Sequence, residues 1–167
     1  TKPEEDVKFL EEWKARVGEE EADRIVKESM SIGNSLDMII EKYMAPGFNY
    51  SDYKSESGIR LFNQMKPVLS KITPIGTQIH MYSDKYEIQG YLDCVGIYNN
   101  TLTMIDFKNS RSKKPRERVH DYFLQAAMYC IMIHEMTGIV IKDICIILGV
   151  RNSTMAQVER AKLVDYI

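Results

Sequence analysis

Three residues with the chemistry to act together are Asp93, Asp106 and Lys108: two hard oxygen donors and one cation on neighbouring segments. Residues 86–98 (YEIQGYLDCVGIY) and 101–108 (TLTMIDFK) are rich in β-branched and aromatic residues. Only Asn99-Asn100 separates them, a pair that tolerates the positive φ angles of a tight hairpin turn. With a two-residue loop Tyr98 faces Thr101, and counting outward sets Asp93 opposite Asp106, with Cβ atoms about 4.5–5.5 Å apart. Lys108 follows two residues later and projects to the same side as Asp106. Opposed carboxylates destabilise a strand pair unless something positive lies between them, and Mg²⁺ or Mn²⁺ suits such oxygen ligands. The competing reading, two ordinary solvent-facing strand residues, needs only a one-residue slip of register. Against it, each Asp interrupts an apolar run (YLDCV, MIDF), and Asp is depleted in strands.

The rest of the chain must position this trio. With 167 residues, 44% of them apolar, and no run approaching a membrane span, the sequence predicts one soluble domain over 1–167. Its parts are a helical lead-in over 1–70, a core over 74–150 and a C-terminal extension over 151–167. No targeting segment is visible, and the start at Thr1 rather than Met suggests trimming. Cys94, Cys130 and Cys145 are odd in number and embedded in apolar segments, which predicts reduced core thiols in an intracellular setting and no iron–sulfur cluster.

The net charge of −2 conceals an asymmetry. Residues 1–41 hold twelve acids against six bases, whereas 108–118 (KNSRSKKPRER) hold six bases and one acid. Such a run is either a solvated loop or a phosphate-binding surface, and its position directly after Asp106 and Lys108 favours Arg111, Lys113, Lys114, Arg116 and Arg118 as nucleic-acid contacts. His120 is a further candidate for a phosphate, although His80, His120 and His134 show no metal-ligand spacing.

Periodicity predicts a first helix carrying Phe9, Leu10, Trp13 and Val17 from a start near Pro3, closed by Gly18. A second follows over 19–30, a break at Gly33, and a third over about 34–44 ended by Pro46-Gly47. A further helix over about 55–70 and a strand near 76–82 precede the hairpin. After it come a helix over 116–137, an apolar strand over 139–150, then a short strand and the start of a terminal helix. Met128, Met132 and Met136 read as core filling, and no phosphate loop or nucleophile elbow is present. Phe48, Tyr50 and Tyr53 are candidates for stacking single-stranded bases, or else loop anchors.

Gly90-Tyr91-Leu92-Asp93, then Ile105-Asp106-Phe107-Lys108, then Gln125-Ala126-Ala127-Met128-Tyr129 resembles the PD-(D/E)XK nucleases of the RecB-like branch, with its G-x-x-D, D-x-K and Q-x-x-x-Y pattern. Trp13 through Tyr43 is similar to the helical lead-in of phage exonucleases related to the mitochondrial genome maintenance exonuclease, although the usual lead-in strand is incomplete here. The resemblance implies an α/β fold with a restriction-endonuclease-like core: a central mixed sheet, an active-site hairpin and flanking helices. It implies a metal-dependent deoxyribonuclease, an exonuclease on single-stranded DNA or DNA ends in recombination, repair or replication. A structure-specific endonuclease and a catalytically impaired DNA-binding module are the alternatives.

By that resemblance Asp93, Asp106 and the Phe107 carbonyl hold Mg²⁺ or Mn²⁺, which lowers the pKa of a water and polarises the scissile phosphate. Lys108 orients the water and balances charge, Gln125 contacts water or DNA as an amide within an apolar helix, and Tyr129 supports the strand. Two positions depart from the pattern. Asp37 stands where a His is usual and remains able to ligate a hard cation; Gln78 stands where a Glu is usual and brings hydrogen bonds without charge.

Overall fold

The structure is a computed structural model that describes residues 4–167 apart from 46, 48, 50 and 52, with the side chains of 4–6 also left aside. Phe48 and Tyr50, two of the three proposed stacking residues, and the helix-flanking Pro3 and Pro46 thus lie outside the described residues. Helices α1 (Glu4–Val17), α2 (Glu19–Met44) and α3 (Glu56–Leu69) precede strands β1 (Thr73–Ser83), β2 (Ile88–Tyr98) and β3 (Thr101–Ser110). Helix α4 (His120–Thr137) and strands β4 (Asp143–Val150) and β5 (Gln157–Lys162) follow.

The expected break at Gly33 does not occur. Helix α2 is continuous, because its stripe of Ala22, Ile32, Leu36, Ile39 and Ile40 gains more from burial than one helical glycine costs. Gly33 serves close approach instead: a Cβ there would lie 2.8 Å from the Asn109 amide nitrogen. The predicted helix over 116–137 divides into a 3₁₀ turn at Arg116–Arg118 and α4, which ends at the left-handed Gly138.

The five strands form one mixed sheet in the order β1-β2-β3-β4-β5. Only β3 and β4 run parallel, joined by a crossover through α4. The sheet is covered on both sides, and the alternation of β4 shows it. Ile144, Ile146, Leu148 and Val150 pack with Phe123, Ala126 and Cys130 of α4, while Cys145 and Ile147 pack with Leu36 and Ile39 of α2 and Phe62 of α3. All three cysteines are buried and unpaired, and burial pushes each thiol up to about 12. Met132 is core as expected, but Met136 is exposed, so the methionine series is not one buried stripe. Among the described residues, no helix is long and apolar enough to cross a membrane.

Past the last β4–β5 pair, Leu148↔Gln157, the side chain of Gln64 on α3 takes the place of a strand. Its carbonyl accepts from the buried Val150 N–H at 2.7 Å, and its amide donates to the carbonyls of Val150 (2.9 Å) and Ser153 (2.6 Å). Replacing Gln64 with Ala orphans the Val150 N–H and should lower stability by about 1–3 kcal/mol, measured by urea unfolding. An unchanged midpoint would remove this strand-end role.

Candidate functional site

The Asn99-Asn100 turn forms with φ angles of 49° and 62°, and it sets the expected register from Tyr98↔Thr101 to Cys94↔Ile105. The ladder stops there. Instead of a plain cross-strand pair, Asp93 turns its carboxylate toward β3, and its Oδ2 accepts the Phe107 N–H at 2.9 Å. The face alternation also shifts at this point: Leu92 packs with α4, whereas Cys94 two residues on packs with α2 and α3. The expectation that Asp93, Asp106 and Lys108 simply share one face is therefore corrected. Asp93 occupies an irregularity that brings it within reach of both layers.

Gln78 on β1 lies opposite this irregularity, in the left-handed region with φ 50°, and its side chain hydrogen-bonds Asp93. Positive φ at a non-glycine residue costs on the order of 1–3 kcal/mol and is tolerated where surrounding contacts impose it. The structure thus places Gln78 directly against an Asp93 carboxylate.

Asp106 is 2% exposed. Its Oδ1 accepts from Lys108 Nζ at 2.9 Å, and Oδ2 lies 2.8 Å from the same ammonium. That second approach is electrostatic rather than a directed hydrogen bond, which leaves the buried Oδ2 without a hydrogen-bond partner. Lys108 Nζ also donates to Gln125 Oε1 at 3.1 Å and stands 5.5 Å from the centre of the Tyr122 ring. Gln125 lies on the exposed side of α4, so its amide is not the buried polar group expected from the apolar sequence around it. Tyr122, one helical turn earlier, was not singled out from sequence; its i, i+3 spacing to Gln125 is the available signal.

Tyr129 is 9% exposed, and its hydroxyl fits beneath Gly90. A Cβ on Gly90 would sit 2.7 Å from that oxygen, which gives the glycine of G-x-x-D a steric reason. On the other side of the sheet, Asp37 and Glu41, one turn apart on α2, line a narrow cleft with Thr77, Gln78, Asp93 and Phe107. Asp37 retains substantial solvent exposure, yet crowding by protein atoms, then the charge of Asp93, raises its carboxyl to about 6.

Burial, partly offset by the Lys108 charge and then reinforced by Asp93, raises Asp106 to about 7. Burial likewise raises Asp93 against the Phe107 N–H, the Lys108 charge and the Gln78 side chain. For Lys108, burial favours the neutral amine, but the adjacent Asp106 charge and hydrogen bond outweigh it and raise its proton affinity. Lys108 is an ammonium in this arrangement.

Among the described residues, no three His, Cys, Asp or Glu side chains converge closely enough to hold a metal by themselves. The residues present nonetheless fit a small hard cation: Asp93, Asp106 with an Oδ2 that takes no hydrogen bond, and the Phe107 carbonyl, since Mg²⁺ commonly uses one or two carboxylates and keeps several waters. Asp37 approaches from α2 without completing a third carboxylate ligand.

The basic run divides by direction. Arg111 and Lys114 line a groove with α1 and α2, and Lys113 is exposed beside them. Gln157 clamps the Lys114 backbone at 2.8 and 2.7 Å. Arg116 pairs with Glu159 at 3.0 Å and lies over Phe123, Arg118 lies over Phe9, and His120 packs beside Tyr166. Tyr53 packs against the α2–α3 side of the core.

No family model matches the chain. It is 26% identical over 135 residues to mitochondrial genome maintenance exonuclease 1 of Mus musculus, an alignment covering 77% of this chain and 40% of that protein. The chain thus spans about two fifths of the length of this curated relative. A presumed exonuclease from Eubacterium rectale superposes with a TM-score of 0.45 at 12% identity, over 83% of this chain and 61% of that one.

Two predictions follow from this geometry. Gly90→Ala should cost about 1–3 kcal/mol by overpacking against Tyr129, and adding Tyr129→Phe should recover part of that loss in a double-mutant cycle. Additive losses would separate the two residues. The second concerns pH. Because Asp106 is raised from 3.8 to about 7, the folded chain binds more protons than the unfolded chain between those values, so metal-free stability falls as pH rises through that window. Melting temperature without metal should drop from about pH 5 to about pH 8, and Asp106→Asn should flatten that drop. Mn²⁺ should restore stability mainly at the higher pH, and an equal Mn²⁺ shift in Asp106→Asn would remove this site as the binder.

Proposed function

We propose that this chain is a metal-dependent deoxyribonuclease of the PD-(D/E)XK type, acting as an exonuclease on single-stranded DNA or DNA ends. The observation that carries this reading is the buried Asp106 carboxylate, one oxygen of which meets only the Lys108 ammonium and takes no hydrogen bond, set beside Asp93 and Gln125. A pair of buried acids held with one ammonium is a costly arrangement for stability alone, and it suits a site completed by a divalent cation. The similarity to an exonuclease over 77% of the chain supports a nuclease in general.

Mg²⁺ or Mn²⁺ bound by Asp93, Asp106 and the Phe107 carbonyl would supply Lewis acidity toward a phosphate and acidify a water. The chain's own residues divide the remaining work. Lys108, held as an ammonium between Asp106 and Gln125, supplies positive charge where a phosphorane-like transition state gains negative charge. Gln125, exposed on α4, orients a water or a phosphate oxygen through the amide that also fixes Lys108. Gln78 and the Phe107 N–H hold the Asp93 carboxylate in place. Asp37 and Glu41 border the same site from α2 and tune its charge.

The reading is tested with end-labelled DNA, single- and double-stranded, linear and circular, in Mg²⁺, Mn²⁺ or EDTA. Metal-dependent release of label from linear single strands, with circles spared, is the expected result. Asp106→Asn and Lys108→Ala should each reduce the rate at least about 100-fold while leaving the chain folded. Cleavage of circles would assign an endonuclease. Salt-sensitive DNA binding without cleavage in either metal would assign a binding module, in which the exchanges at Asp37 and Gln78 silence the site.

A further inference from the structure

Arg111 and Arg151 stand side by side where the parallel strands β3 and β4 run out. The Arg151 N–H donates to the Ser110 carbonyl at 2.8 Å, and the Asn152 N–H donates to the Arg111 carbonyl at 2.9 Å, so main-chain bonds fix the spacing of the two positions. Both side chains line two adjoining cavities. One is a groove of about 750 Å³ walled by α1 and α2 that reaches Asp37 at the carboxylate site; the other is a hollow of about 260 Å³ against the first turns of α2.

Their charges are unanswered. Arg151 donates from one terminal nitrogen to Ser29 Oγ at 3.1 Å, while its buried Nε has no hydrogen-bond partner. Among the described residues neither arginine forms an ion pair, and the nearby acids Glu21 and Glu28 are both engaged by Arg24. In a hollow whose two carboxylates are both held by Arg24, the added guanidiniums of Arg111 and Arg151 leave net positive charge that favours an anion. The groove also presents Phe9 and Trp13 of α1, aromatic surface suited to bases rather than to a free inorganic ion.

We propose that Arg111 and Arg151 form a phosphate-binding subsite for the nucleic-acid strand, set apart from the scissile position. Arg151 lies outside the basic run that the sequence pointed to, and only the ends of β3 and β4 bring it to Arg111. Ser29, which Arg151 touches, and Asp37 are eight residues apart on α2, a rise of about 12 Å. At the stacked-strand rise this places the subsite about three to four nucleotides from the carboxylates. The inference rests on the nuclease reading only for which strand is cut.

The test uses the full chain carrying Asp106→Asn, fluorescein-labelled oligothymidylate of about 12 nucleotides, EDTA and a salt series, read by anisotropy. Arg111→Gln and Arg151→Gln should each lower the slope of log affinity against log salt by about 0.7, and Arg151→Lys should preserve it. Thermal melts accompany the series because Arg151 also binds Ser29; if Arg151→Gln unfolds, the exposed Arg111 position decides the result. Unchanged slopes in the folded glutamine variants would overturn the subsite. Oligonucleotides with a 5′-phosphate or a 5′-hydroxyl separate an end phosphate from an internal diester: an effect confined to the phosphorylated probe assigns the end, and an equal effect assigns the interior. Because the slope is read without cleavage, failure of the nuclease reading would appear separately, as inactivity of the unsubstituted chain with metal.

Discussion

Burial of two carboxylates beside a single ammonium is the constraint around which this structure is arranged. Asp106 lies among side chains that would ordinarily exclude it, and its charge is answered by Lys108 from the same strand. Desolvation of such a group costs several kcal/mol even after relaxation, so neighbouring elements must compensate. Gln125 steadies the ammonium from α4, Gln78 and the Phe107 N–H steady Asp93 from the sheet, and Tyr129 fills the space that Gly90 leaves open. These groups come from β1, the β2–β3 hairpin and α4. The site therefore exists only when those elements are docked together.

The break in the β2–β3 ladder is part of the same solution. A regular antiparallel pair would have set two charges across from each other with no intervening donor. The irregularity at Asp93 lets its side chain accept a main-chain N–H and shifts the phase of β2, so that Leu92 before it and Val95 after it both face the α4 layer while Cys94 faces α2 and α3. Strain at Gln78 accompanies it.

Much of this was legible from residue order. The Asn99-Asn100 turn fixed the register by simple counting, and β-branched runs located the strands. Periodicity located α3 and α4 to within a few residues. Gly33 misled because a glycine in a helix signals either a break or a close contact, and only Asn109, distant in sequence, decides between them. Gln125 misled because its apolar neighbours face the core while it does not. The 108–118 run could not be divided from composition, since the partner of Arg116 is Glu159 on β5, and Arg151 was invisible because strand ends are brought together by topology rather than by spacing.

The parallel pairing of β3 with β4 has a kinetic consequence. The β2–β3 hairpin closes over a two-residue loop and needs only local contacts, whereas β4 reaches β3 after the α4 crossover, at the end of a much longer chain closure. On that ordering Asp93 and Asp106 meet while still hydrated, and they lose water only as α4 and β4 settle. The energetic penalty of the acid pair then falls late in folding. Solvent conditions that protonate Asp106 or screen it would ease the last docking step and leave hairpin closure unaffected.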